Sequence, residues 1–388
     1  MYKQGKFYAF AATGYLYSLI IVDLYRKLNG VNVENIRNIV YIFFFALLLI
    51  DMVKTRRLKP MLTIAAVTML LFGFSIIINP GYSSVYSASI MLFVSRLWPA
   101  YYIGRYTENW EALSKTVLLF SPIALAYATS LFLIPEIAQA YATIASNLAF
   151  VSLISIFASV YFKKYIGLVI SIICLIPVFF YGTRAYFVGV ILSLFLAYII
   201  NTNNVSINKR VALFTILGIV VSVFLIAGDS IFEYLYNLFP DSRTLKMMAV
   251  GDFFDDSNRS SYYDKIIDHL TDNPLDMCGL IGDRIYFCPK GTTSEILSSF
   301  SHNCCLELCM NFGLFIGIIL NLIFIKKLLQ AVKYSFHTQY AINYIFMLIL
   351  GVGFVDMMVS ASYMGSYIPW LLFGCAFSIC NSKIYPKG

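Results

Sequence analysis

The amino-acid sequence predicts an all-α polytopic membrane protein of about twelve transmembrane helices, with one large external loop that contains short helices. Three observations predict it. Hydrophobic residues make up 60% of the chain and charged residues only 12%, where a soluble domain carries about 25% charged residues. The apolar runs are about 15–20 residues long and do not alternate, which suits helices rather than barrel strands, the two structures that satisfy their own backbone in lipid. One long polar stretch, 228–303, interrupts the apolar blocks. It divides the chain into a bundle of about nine helices over 1–227, the loop over 228–303, and a bundle of about three helices over 304–388.

In chain order the apolar segments fall near 7–22, 37–53, 61–79, 85–104, 116–134, 145–162, 165–181, 186–200, 211–227, 305–325, 341–360 and 367–380. The first follows Lys3 and Lys6 and resembles a signal peptide, but it has no convincing small-residue cleavage site and is read as a retained helix. The fourth contains Arg96 and Pro99. No internal repeat or low-complexity tract stands out.

Charge counting sets the topology. With the N-terminus in the cytoplasm, the inward segments carry Lys3, Lys6, Lys54, Arg56, Arg57, Lys59, Arg105, Lys115, Lys163, Lys164, Lys209, Arg210, Lys326, Lys327, Lys333, Lys383 and Lys387. The short outward loops carry only Arg26, Lys27, Arg37 and Arg184. The positive-inside rule therefore puts both termini in the cytoplasm and the 228–303 loop outside. The net charge of +8 is spent on this loop asymmetry, so nucleic acid is not an expected partner.

Within the loop, 228–239 reads as an aromatic-rich interfacial helix. Ser260 to Leu270 has helical periodicity, Asn273-Pro274 breaks it, and 278–291 is rich in turn residues. Thr293 to Phe300 reads as a short helix leading into Ser301-His302-Asn303. Cys278 and Cys288 are available for a disulfide in an oxidising compartment. No CxxC pair is present, so zinc is not expected, and neither a metal nor a cofactor is assigned.

Several residues stand out for chemistry. Arg184 occupies a tight outward turn, Tyr181-Gly182-Thr183-Arg184-Ala185, where it either snorkels to headgroups or faces a polar cavity; its outward position favours the cavity. Arg96 is an intramembrane charge, a functional candidate by default. Arg259 and Arg284 are loop arginines that, singly, suit solvated ion pairs. His302 abuts the tenth segment and has the pKa range of a general base at neutral pH; Asn303 beside it suits fixing its tautomer or binding a sugar. Tyr262, Tyr263 and Tyr286 suit either stacking on sugar rings or packing the loop. His269 reads as solvated. Phosphate-binding loops, a Rossmann glycine pattern, a Ser or Cys nucleophile motif and an Asp-X-Asp pair are all missing. Arginines and a histidine on an external face fit a metal-free chemistry: guanidinium groups neutralise a diphosphate leaving group, and a histidine accepts the proton of an attacking hydroxyl.

The order of these features is a Gly182-Thr183-Arg184 turn between two spans, then Arg259 before a loop helix, Asn273-Pro274 with Gly279, Ser301-His302-Asn303, Leu306-Glu307 and Gly313. It resembles the O-antigen polymerase and O-antigen ligase superfamily of bacterial membrane glycosyltransferases, over about Gly182 to Gly317. One departure is the looser Cys278-Gly279-Leu280-Ile281-Gly282 where the family has Gly-X-Gly. The resemblance implies a GT-C-like, metal-independent glycosyltransferase of the bacterial inner membrane. It would act outside that membrane on oligosaccharides linked to undecaprenyl diphosphate, with membrane lipid around it and a chain-length regulator as a further expected partner. Carried across, Arg184 and Arg259 bind the lipid diphosphate, His302 serves as base or acceptor positioner, and Arg284 is a further candidate for the same phosphates; Asn303, Tyr262 and Tyr263 are expected substrate contacts by their own chemistry. The expected activity is a repeat-unit polymerase. Its alternatives are the ligase that transfers finished glycan to lipid A core, and a non-enzymatic flippase for lipid-linked oligosaccharide.

Overall fold

The structure is a computed structural model that describes residues 5–29, 34–133, 141–181, 184–201, 230–240, 242–250, 257–337, 340–360 and 362–381. Among the described residues it is all-helical, with no strand. The order is α1 Lys6–Asn29, α2 Glu34–Lys54, α3 Leu58–Ile78, α4 Ser83–Leu92, α5 Trp98–Tyr106, α6 Trp110–Leu133, α7 Tyr141–Tyr161, α8 Ile166–Tyr181 and α9 Arg184–Asn201. A helix over 230–238, α10, follows. Then come α11 Arg243–Ala249, α12 Ser257–Asp272, α13 Gly282–Phe287, α14 Thr293–Ser298, α15 Cys304–Phe312, α16 Leu314–His337, α17 Ala341–Val355 and α18 Tyr367–Asn381.

Among the described residues five helices are long and apolar enough to cross a membrane: α1, α3, α6, α16, and α17 with its continuation to Val359. Shorter apolar helices lie in α7, α8, α9 and α18. Every predicted apolar segment within the described residues is helical; 211–227 lies outside them. Two differ from the expectation. The segment at 305–325 is two helices, α15 and α16, broken at Gly313 (φ 79°); α15, at nine residues, is too short to span. The segment at 85–104 contains a π-helical turn, Phe93–Leu97, and a second π turn, Asp356–Ser360, follows α17.

The apolar surface is turned outward where lipid would cover it. Phe315, Ile319, Leu322 and Leu329 on α16 are exposed, whereas Asn343–Gly353 of α17 is buried throughout. The central helices approach closely through small residues, as packing within lipid favours. A Cβ on Gly351 would meet Ser193 N of α9 at 2.2 Å, and one on Gly104 of α5 would meet Leu371 O of α18 at 2.2 Å.

The two ends of the bundle differ in chemistry. At one end Arg57 pairs with Glu108 and donates to Tyr106 O at 2.9 Å, Arg105 donates to Phe377 O, and Lys327 lies over the Phe377 ring. At the other end of α3, about 30 Å away along a 21-residue helix, Asn79 Nδ2 donates to Cys278 O at 2.8 Å and Tyr82 OH donates to Pro289 O at 2.8 Å. Ser84 also bonds Thr293 there (3.0 Å). The long loop thus packs on the end opposite the basic cluster. Inside it, the Asn273-Pro274 break ends α12 as expected, and α13 occupies part of the stretch read as turns. Cys278 and Cys288 are free thiols rather than a disulfide.

Candidate active site

The loop and the bundle enclose a cavity of about 270 Å³ lined by residues from α4, α7, α9, both π turns, α13 and the 362–367 segment. Two guanidinium groups, Arg96 and Arg284, share its wall with Tyr186, Phe300, Asp356, Ser362, Ser366 and Tyr367. Asp356 is the only carboxylate among the lining residues.

Arg96 sits on the first π turn. Such a turn widens the helix by one residue and misaligns its carbonyls; here the Tyr15 hydroxyl is shared between Ser95 O at 2.9 Å and Arg96 O at 2.5 Å. Among the described residues no carboxylate lies within ion-pair distance of the Arg96 side chain. Instead it shares a second, water-sized cavity with Tyr15, Tyr41, Tyr367 and Asn147. Asn147 is buried with both polar side-chain atoms unpartnered, so the surroundings of Arg96 are polar and unsatisfied. The second π turn starts at Asp356, which accepts hydrogen bonds from Ser366 Oγ at 2.7 Å and from Tyr186.

Arg284 reaches the cavity from α13 and is 2% exposed. The backbone that carries it turns through left-handed residues, Gly279 (φ 78°) and Ile281 (φ 59°), and Asn311 Oδ1 accepts from Asp283 N at 3.2 Å. The guanidinium donates to Leu297 O at 2.9 Å and to Ser362 Oγ at 2.6 Å, and lies over the Phe300 ring at 5.6 Å. Its Nε has no hydrogen-bond partner. Two buried carboxylates flank it. Asp283 accepts from Ser301 N at 3.3 Å; burial pushes its pKa up to about 6, against the pull of Arg284. Glu307 accepts from Ser362 Oγ and from Tyr363 N at 3.0 Å. Burial, then the nearby charge of Asp283, push it up to about 8, opposed by Arg284.

His302 has a left-handed backbone (φ 55°), a conformation that costs a non-glycine residue about 1 kcal/mol or more and concentrates at functional positions. Its ring centroid lies 4.2 Å from that of Phe300 and 6.4 Å from that of Tyr262. Phe300 therefore links His302 to Arg284. Tyr262 is packed edge-on against Phe287 at 4.6 Å, which gives it a packing role in addition to the sugar contact expected of it. Tyr286 lies on His269. Tyr263 is half-buried on the same helix as Tyr262.

Asn303 is mostly engaged. It caps α15, its Oδ1 accepting from Cys305 N at 2.9 Å and Leu306 N at 3.1 Å, while Nδ2 donates to Met358 O at 3.2 Å. Its amide holds the helix that presents Glu307, and leaves little for a sugar. Arg184 begins α9 two residues before Tyr186, and Arg259 lies on α12 three residues before Tyr262. Both backbones thus adjoin the site; their side chains lie outside the described residues.

Sequence reasoning brought Arg284, His302 and Tyr262 to one place but passed over Asp356 and Asp283. A signal for Asp356 existed, an acid inside an apolar run. Asp283, within the turn-rich 278–291 stretch, carries no such signal. Comparison with known proteins finds no family model that matches the chain and no curated protein that matches it.

Proposed function

We propose that the protein is a surface-polysaccharide repeat-unit polymerase: a GT-C-like, metal-independent glycosyltransferase with about twelve spans in the bacterial inner membrane. Both termini would be cytoplasmic and the 228–303 loop external. One observation carries the reading. Arg96 and Arg284 stand on one cavity of about 270 Å³, with a single acid in its wall and His302 next to Arg284 through Phe300. Two cations converging on a low-dielectric cavity suit a diphosphate, whose charge grows as it leaves. The volume is slightly below the usual ligand-pocket range of about 300–1,000 Å³, so it suits the diphosphate and the first sugar rather than a whole repeat.

In this reading the donor is an oligosaccharide on undecaprenyl diphosphate and the acceptor is the non-reducing end of a second lipid-linked repeat. The acceptor hydroxyl attacks the anomeric carbon, His302 accepts the hydroxyl proton, and the bond from carbon to diphosphate oxygen breaks with inversion. Undecaprenyl diphosphate leaves with its negative charge held by Arg284, Arg96, Arg184 and Arg259. A chain-length regulator would act on the same external face.

The test is the surface-glycan ladder of a strain deleted for the gene and complemented with variants. If the protein is the polymerase, its deletion removes long chains and leaves single repeats on lipid A core. Lipid-linked polymer accumulating with no attached repeats identifies the ligase instead, and repeats held on the cytoplasmic face identify a flippase. Arg284→Lys keeps the charge but loses the fork that spans Leu297 O and Ser362; it is expected to lower chain extension about 10–100-fold, the equivalent of about 1.5–3 kcal/mol for a charge-assisted contact, at unchanged protein abundance. A normal ladder from Arg284→Lys and Arg96→Gln together would discard the cavity as the site.

A further inference from the structure

Away from the cavity, the far end of α12 meets the turn that follows it. His269 lies on the last turn of α12, and the chain reverses at Asn273-Pro274 so that Asp276 and Cys278 return against it. His269 Nε2 is 3.2 Å from Asp276 Oδ2 and 3.8 Å from Cys278 Sγ, and the three atoms all lie within 4.8 Å of one another. Bonds of about 2.0–2.3 Å at a tetrahedral ion give ligand–ligand separations of about 3.3–3.8 Å, which the two distances from His269 match.

The turn is held from several sides. Asn273 N donates to His269 O at 2.8 Å, Cys278 N to Met310 O at 3.3 Å, Leu314 N to Pro274 O at 3.0 Å, and Asn79 Nδ2 to Cys278 O at 2.8 Å. The imidazole lies against the Tyr286 ring at 4.9 Å. The donors are therefore positioned by backbone bonds to α15 and α16 and by the side chain of Asn79, which follows α3. A neutral imidazole, a thiolate and a carboxylate around a divalent ion sum to zero charge, which suits a half-buried site; nitrogen, sulfur and oxygen together favour a borderline-soft metal. Asp276 is more than half exposed, so the outer side is open for water as a fourth ligand.

We propose that His269, Asp276 and Cys278 form a structural site for a divalent metal of the zinc class, which fastens the end of α12 to the membrane scaffold. On binding, the Cys278 thiol releases its proton to solvent and its sulfur bonds the metal. Arg259 lies ten residues back along the same helix, about 15 Å away. The ion thus anchors the helix that carries Arg259 without entering the cavity. The alternative occupant of the same geometry is a plain His269–Asp276 ion pair with a bystander thiol.

The experiment uses the full-length protein in detergent, stripped with chelator and titrated with cobalt(II) and then zinc(II). The expected result is one ion per chain, a thiolate-to-cobalt charge-transfer band, and displacement of cobalt by zinc. The band should vanish in Cys278→Ser, and affinity should fall at least about tenfold in Asp276→Asn and His269→Ala. Absence of the band in the wild-type protein overturns the proposal, and so does its persistence in Cys278→Ser. The wild-type spectrum decides the question even where a variant fails to fold.

Discussion

Replacing Glu307 with glutamine should make the protein more stable at alkaline pH and leave it unchanged at acid pH. Glu307 is fully buried on α15 and accepts hydrogen bonds from Ser362 Oγ and Tyr363 N. The guanidinium of Arg284 donates to Ser362 and Leu297 O instead of directly to the carboxylate, and Asp283 lies close enough to add repulsion. One cation cannot neutralise two buried acids, so Glu307 holds its proton up to about pH 8, from an ordinary value of 4.5. For an acid raised in the folded state, the stability it contributes is fully present below its unfolded pKa of 4.5 and is lost as pH rises toward 8. At 1.36 kcal/mol per pKa unit the loss is on the order of 4 kcal/mol, shared with Asp283 as a coupled pair. Glutamine keeps an oxygen for Tyr363 N and turns an N–H toward Ser362 Oγ, reversing the bond that Ser362 donates to the acid, and it does not titrate. Thermal unfolding followed by tryptophan fluorescence should give equal midpoints near pH 4, below the unfolded pKa. Near pH 8 the variant should lead by roughly 5–10 °C, taking ~2 °C per kcal/mol. Parallel midpoint curves, or a variant less stable at pH 8, would refute the reasoning and mean that Glu307 is ionised and paired with Arg284.

Two further substitutions test the supports of the site. Asn303→Ala removes the α15 cap and the bond to Met358 O and should destabilise by about 2 kcal/mol, whereas Asn303→Ser keeps a capping oxygen and should cost about half as much; equal denaturation midpoints for the two would contradict the cap. Gly279→Ala forces a side chain into a left-handed residue, with its Cβ 2.8 Å from Ser75 Oγ, the group that accepts from Leu280 N at 2.7 Å. It should cost about 2–3 kcal/mol, against less than about 0.5 for Gly81→Ala, where nothing lies within 4 Å. Chemical denaturation of the two alanine variants side by side decides it.

The apolar runs made the helices legible, because a stretch of about 20 residues without charge has few alternatives in lipid. The break after α12 was legible for a similar local reason: proline at 274 cannot continue a helix and disfavours helical backbone at Asn273. The site was only partly so. His302 and Arg284 announced themselves as polar residues of unusual placement, but their association runs through Phe300, a residue with no signal of its own. Arg96 meets Tyr15, Tyr41 and Tyr367 from three distant stretches, an encounter set by helix packing that no local pattern encodes. The split of 305–325 went unread because Gly313 looks tolerable inside a helix until its φ of 79° is known. His269, Asp276 and Cys278 follow no familiar metal spacing, and only the reversal at Asn273-Pro274 brings them together.

The two π turns bear on how this chain tolerates change in length. Each holds one residue more than the α-helical repeat and absorbs it locally, so the helix beyond stays in phase. Removing one residue from 93–97 would restore α geometry and leave Gly104 on the Leu371 backbone that it touches, so the loss would fall on the turn that carries Arg96. The same loss at 356–360 would fall on the turn that begins with Asp356. The charge of the cavity is thus written in residue count as much as in residue identity. At these two points a one-residue deletion should spare the packing of the helices beyond and act on the cavity.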